Sequence, residues 1–151
     1  IWEGSRPVDM VKLYGESYDD VVCFEDLSLG ICKEELDKGR FIQILFFDDL
    51  PEVSDLKPNG HWATLDGVNL DEEWVQIYEP SNSWRVYDEN GFVLTKLERD
   101  REYVFEKRSN YKMHTEDLLE RWHDIVDETG RVAEQLAIII NPYSVKATYI
   151  Q

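Results

Sequence analysis

Gly60-His61-Trp62-Ala63-Thr64-Leu65-Asp66-Gly67-Val68 is followed, after a polar connector, by Trp74-Val75-Gln76-Ile77-Tyr78-Glu79-Pro80. Both segments carry the β-branched and aromatic residues that suit a pleated surface. The polar run Asn69 to Glu73 between them predicts a hairpin. A histidine opens the first strand, and a carboxylate followed by proline closes the second. Antiparallel pairing brings those two ends together, so that Glu79 can orient the His61 imidazole. That supplies two members of a nucleophile–base–orienter set. The third member, the nucleophile, has no convincing place in the sequence.

Outward from the hairpin, Phe41-Ile42-Gln43-Ile44-Leu45-Phe46-Phe47 predicts a strand buried on both faces. Asp48 to Gly60, with Pro51, Pro58 and Gly60, predicts a loop. Ser5-Arg6-Pro7 predicts a helix start with Ser5 as cap, an apolar face of Val8, Val11 and Leu13, and an end at Gly15. Val21-Val22-Cys23-Phe24 predicts a short strand or buried run. Lys33 to Lys38 predicts a short helix stopped by Gly39. Asn90-Gly91 signals a turn between Trp84–Tyr87 and Phe92–Leu94, and Tyr103-Val104-Phe105 another strand. Thr115 predicts the cap of a helix with Glu116 and Asp117 in its first turn and a stripe of Leu118, Leu119, Trp122, Ile125 and Val126, ending at Gly130. Ala137 to Ile140 predicts a final buried strand before Asn141-Pro142. The pattern reads as one α+β domain over 1–151.

The 151 residues carry a net charge of −16, and 42% of them are hydrophobic. Such a surface repels phosphate backbones, which argues against nucleic acid. It would draw in a basic peptide by steering. No apolar run approaches the roughly 20 residues that span a bilayer. No secretory signal opens the chain. The chain opens at Ile1 rather than methionine, so it reads as processed, as a fragment or as part of a longer sequence. The two cysteines, Cys23 and Cys32, form no CxxC pair and have no zinc spacing with His114 or His123. The setting expected is reducing and cytoplasmic. Cys32 before the Lys33–Lys38 helix is a weak nucleophile candidate, and Cys23 reads as a small core hydrophobe. No Gly-rich phosphate loop or GxSxG elbow occurs. Asp48-Asp49 and Asp71-Glu72-Glu73 lack the ligand spacing of a calcium loop. Trp62 and Trp84 read as packing aromatics or cleft walls. No metal and no organic cofactor is expected.

The order of these features resembles the histidine-bearing C-terminal lobe of papain-like cysteine peptidases, specifically the bacteriocin-processing, double-glycine-leader group. Members have Leu-x-x-Gly-(Arg/Lys)-Pro leading into a core strand. Here Leu36 to Arg40 leads into Phe41, which stands where proline is usual. Gly60-His61 stands at the family's Gly-His, the general base. Glu79-Pro80 stands where an aspartate before proline orients it, with Asn82 as a rival orienter. Thr115, Leu118 or Leu119, and Trp122 are similar to the family's Thr-x-x-x-Leu-x-x-x-Trp helix. The resemblance spans roughly Leu36 to Trp122 plus the final strand. It implies a papain-like antiparallel sheet with a few flanking helices and nucleophilic acyl transfer on a peptide or protein. The family's nucleophile lies on an N-terminal helix in a Cys-Gly context, and no Cys-Gly occurs here. The nucleophile is therefore expected upstream of Ile1 or on a companion chain. The alternative is a peptidase-like domain that cuts nothing and binds a peptide or protein.

Overall fold

The computed structural model describes residues 6–48, 59–80, 84–97 and 99–147. Its centre is β2 (Phe41–Asp48), the apolar strand expected from the sequence. β2 lies inside a six-stranded sheet of order β1 (Val21–Phe24), β10 (Ala137–Ile140), β2, β3 (Asn59–Asn69), β4 (Trp74–Tyr78) and β7 (Asn110–His114). Every neighbouring pair is antiparallel. The architecture is α+β, and β3 and β4 form the expected hairpin.

β2 is apolar on both faces because both faces are covered. On one face Ile42, Ile44 and Phe46 join Ala63, Leu65, Ile77, Met113 and Ile139 in the main core. Leu29 and Cys32 of α2 (Leu29–Asp37) and Leu118 of α3 (Thr115–Arg121) close over them, with Trp122 just beyond α3. Burying each such large apolar side chain contributes about 1.5–3 kcal/mol. On the other face Leu45 packs with Val126, Ala133 and Leu136, and Trp62 packs against that group. Those residues belong to or flank a small ribbon, β8 (His123–Ile125) with β9 (Val132–Glu134). A second ribbon pairs β5 (Trp84–Tyr87) with β6 (Val104–Lys107).

The hairpin contains one irregularity that governs the site. From its turn outward, Asn69 pairs with Trp74, Val68 with Val75 and Gly67 with Gln76. Beyond a bulge at Asp66, Leu65 pairs with Ile77 and Thr64 with Tyr78. One extra residue on β3 reverses which face each later side chain takes relative to β4. The bulge lets Leu65 and Val68 both meet the main core, which strict alternation forbids.

Several elements differ from expectation. α2 begins at Leu29, not Lys33, because Ser28 caps it: its hydroxyl oxygen accepts from the Ile31 N–H at 3.2 Å. It still stops before Gly39, whose φ of +82° costs a glycine little. α1 (Pro7–Gly15) starts on its proline, but Val8 and Leu13 are exposed instead of forming a buried face. The expected cap, Ser5, lies outside the described residues. α3 is shorter than expected. His114, not Thr115, is its N-cap, and the helix ends at Arg121. Trp122 leaves it with φ −83° and ψ 64°, held by its indole N–H on the Leu136 carbonyl at 2.9 Å. The residues after it form β8, so Ile125 belongs to a ribbon and Gly130 to its turn. The Asn90-Gly91 turn forms, with the Asp88 N–H on the Phe92 carbonyl at 2.9 Å. Across it Val93 pairs with Tyr87 in a single antiparallel bridge and the Leu94 N–H donates to the Val86 carbonyl at 2.9 Å, while β5 makes its full ladder with β6.

Candidate functional site

His61 sits on β3 opposite Phe46 of β2, which gives it the main-core face. The Phe46 ring meets the imidazole edge-on, with centroids 5.7 Å apart and planes at 88°. Pairing past the bulge carries Ala63 toward Glu79, two residues from His61 on the same face. The register set at the turn alone would have put Glu79 opposite Thr64. Thr64 points to the other face, where its hydroxyl accepts from Gln43 at 2.8 Å. The bulge thus decides whether acid and base share a side of the sheet.

They do. His61 Nε2 lies 3.1 Å from Glu79 Oε1. The two groups stand at hydrogen-bonding distance, and the contact with His61 is the first of those that hold the Glu79 carboxyl down. A carboxylate at Nε2 favours the proton there and leaves Nδ1 as the basic nitrogen of a neutral ring. The imidazole keeps 25% of its side-chain exposure, so it stands at an edge that solvent reaches.

Glu79 is the fully buried hub of a network. Its backbone N–H donates to the Ser109 carbonyl at 2.7 Å, extending the β4–β7 ladder by one residue. The Tyr111 hydroxyl donates to Oε1 at 2.5 Å. Arg85 Nη2 donates to Oε2 at 3.1 Å. Burial pushes the Glu79 carboxyl up, but contacts with His61, Arg85 and Tyr111 outweigh it and hold the group below the usual glutamate range. With both oxygens engaged, the carboxylate cannot turn away from the imidazole. Behind it, the buried Tyr87 phenol is pushed up to about 12 by desolvation, and the Arg108 guanidinium lies 4.4 Å from its ring centre.

The sequence reading missed Arg85 and Tyr111. A usable signal existed for Arg85, the lone charge in Trp84-Arg85-Val86-Tyr87. A charged residue amid strand-forming aromatics is rarely buried without a partner. Tyr111 had no such signal, because β7 was not recognised as a strand.

The remaining candidates fall elsewhere. Asn82 lies outside the described residues. Cys32 is buried inside α2, and desolvation pushes its thiol up to about 12. It is four residues past the Ser28 cap, not at the helix start where a thiolate is stabilised. Cys23 shares a register line with Ile138, Gln43 and Thr64. That line points to the face opposite His61 and sits three strands away, about 14 Å at ordinary strand spacing. Neither cysteine serves His61. Trp62 packs under the β8–β9 ribbon, whereas Trp84 is half-exposed and stacks on Phe105 at 5.0 Å. His114 stacks on Phe92 at 4.1 Å, and His123 Nε2 lies 3.0 Å from the Glu120 carbonyl. Among the described residues, no group of three or more His, Cys, Asp or Glu is placed to hold a metal ion, and no helix is long and apolar enough to cross a membrane.

No family model, curated protein or solved structure matches the chain.

Proposed function

We propose that this chain carries the base and the orienter of a papain-like acyl-transfer site, a hydrolase acting on peptide or protein in the cytoplasm. The observation that carries the reading is the 3.1 Å contact between His61 and a Glu79 held from both sides. In the proposed cycle a cysteine thiol from upstream of Ile1, or from a companion chain, gives its proton to His61 Nδ1. The resulting thiolate adds to the carbonyl carbon of the scissile amide. The tetrahedral adduct then expels the amine, which takes the proton from His61. Water hydrolyses the thioester by the same route, with His61 again accepting and returning a proton. Glu79 stabilises the imidazolium in both steps and keeps the ring aimed. The net charge of −16 supports a basic peptide as substrate.

The position of the two cysteines favours a second reading, in which the domain binds a peptide and cuts nothing. A thiol-directed electrophile, applied to the protein as its cell makes it, separates the two. The enzyme reading expects one cysteine, neither Cys23 nor Cys32, to label rapidly, and expects His61→Ala to abolish that labelling. Labelling that ignores His61→Ala ends the enzyme reading and leaves the binding module.

A further inference from the structure

The six-stranded sheet has two outer edges, and they differ. At β7, Phe92 bridges to Lys112 and the Val93 N–H donates to the Lys112 carbonyl at 2.9 Å, so a neighbouring segment occupies that edge. At β1 only β10 pairs, and among the described residues no strand lies on the other side. Alternate N–H and C=O groups of Val21–Phe24 therefore point away from β10, on a strand against which α1 also packs.

Side chains and charge narrow what fits there. Val22 and Phe24 are 43% and 41% exposed, and they continue the main-core face beyond Ile139. The strand is bracketed by exposed acids, Asp19 and Asp20 before it and Glu25 and Asp26 after it. Of these acids Glu25 is paired with Arg131 at 2.6 Å. A second copy of this chain, added antiparallel about Val22, sets Asp19 against Glu25 at both ends, and about Cys23 it sets Asp20 against Asp26. Like charges directly opposite destabilise a strand pair. The same acids that guard the edge against its own copies attract a strand carrying the opposite charge.

We infer that the outer edge of β1 is a strand-addition site for an extended peptide with alternating apolar residues and Lys or Arg at both ends. Backbone pairing along Val21–Phe24 supplies the registration, Val22 and Phe24 supply an apolar contact, and the four flanking acids supply charge complementarity. The site lies three strands from His61 and stands whether or not the chain is a peptidase.

The test uses two labelled, end-blocked peptides with one core, Lys-Arg-Thr-Val-Thr-Val-Lys-Arg and Glu-Asp-Thr-Val-Thr-Val-Glu-Asp. Binding is followed by anisotropy, and hydrogen exchange maps the protected amides. The basic peptide is expected to bind at least about tenfold more tightly, from several screened charge pairs of a few tenths to 1 kcal/mol each. It should protect amides at Val21–Phe24, weaken as salt rises and be indifferent to His61→Ala. Asp19→Lys/Asp20→Lys, at exposed positions that leave the fold intact, should erase or invert the preference. Equal affinity for both peptides, protection elsewhere than β1, or a preference unmoved by the double reversal would overturn the inference. Protection of β1 that rises with protein concentration alone would also overturn it, in favour of self-pairing.

Discussion

Glu79→Gln replaces a carboxylate by an amide at the centre of the site and should unfold the protein at a measurably lower temperature. The carboxylate presents Oε1 to the Tyr111 hydroxyl and the imidazole, and Oε2 to Arg85, so both oxygens face donors. An amide has one oxygen. Turned with its oxygen to Arg85, the amide obliges the Tyr111 hydroxyl to accept instead of donate; turned the other way, its NH2 meets the Arg85 guanidinium, which cannot accept. Glu79 and Arg85 are 0% and 1% exposed and 3.1 Å apart. At an effective dielectric of about 20 their gross attraction is about 5 kcal/mol. Desolvation offsets much of that in the intact pair, but removing one partner leaves the other charge buried, at about 3–5 kcal/mol. For a chain of this size each kcal/mol moves the melting temperature by about 2–4 °C, so a fall of about 10 °C is expected.

The pH dependence adds a second readout. The folded state holds the Glu79 carboxyl below its ordinary value of 4.5, so the unfolded chain binds that proton more tightly. Its stabilisation is complete above pH 4.5 and is lost as pH falls through the lower folded value. The gap between wild type and Glu79→Gln should therefore close in acid. Pairing the change with Arg85→Met removes the buried positive charge and should recover at least half of the loss. Calorimetry across pH on the four proteins of the cycle decides the matter. A single variant melting within about 2 °C of wild type, or a double variant no better than the single, would refute the reasoning.

Two further outcomes follow from the same geometry. Deleting Asp66 removes the extra residue and leaves Leu65 and Val68 two positions apart, so plain alternation keeps both on the core face opposite Ile77 and Val75. The variant should therefore fold with both halves of the hairpin in their present register and melt within about 4 °C of wild type. A deletion variant that fails to fold would disprove the assignment. In native protein, iodoacetamide should modify the exposed Cys23 while Cys32, fully buried with its thiol raised to about 12, reacts only after denaturation. Mass spectrometry of the two peptides reads this directly, and early modification of Cys32 would contradict the core packing.

The elements legible in the sequence were those with dense local signals. β2 announced itself by an unbroken apolar run, and the β3–β4 hairpin by two strand-like segments around a polar connector. The short final strand Ala137–Ile140 was equally plain. The errors came where a long-range contact overruled a local pattern. The stripe from Leu118 to Val126 looks helical to its end, yet the Trp122 indole bonds to Leu136, and the chain turns there into β8. β7 and β9 carry little strand signal of their own, and pairing with β4 and β8 defines them.

At the site, the meeting of His61 and Glu79 was legible, because a histidine opening one strand and a carboxylate closing its partner must end near each other. Which side of the sheet each faces was beyond local reading. Parity along a strand changes with a single residue, and the bulge at Asp66 arises from how Leu65 and Val68 both reach one core. The third and fourth members, Arg85 and Tyr111, come from a separate ribbon and from the far side of β4. Sequence order cannot bring such groups together. Burial does, since a carboxylate with no access to water must find its counter-charge and its donors within the fold.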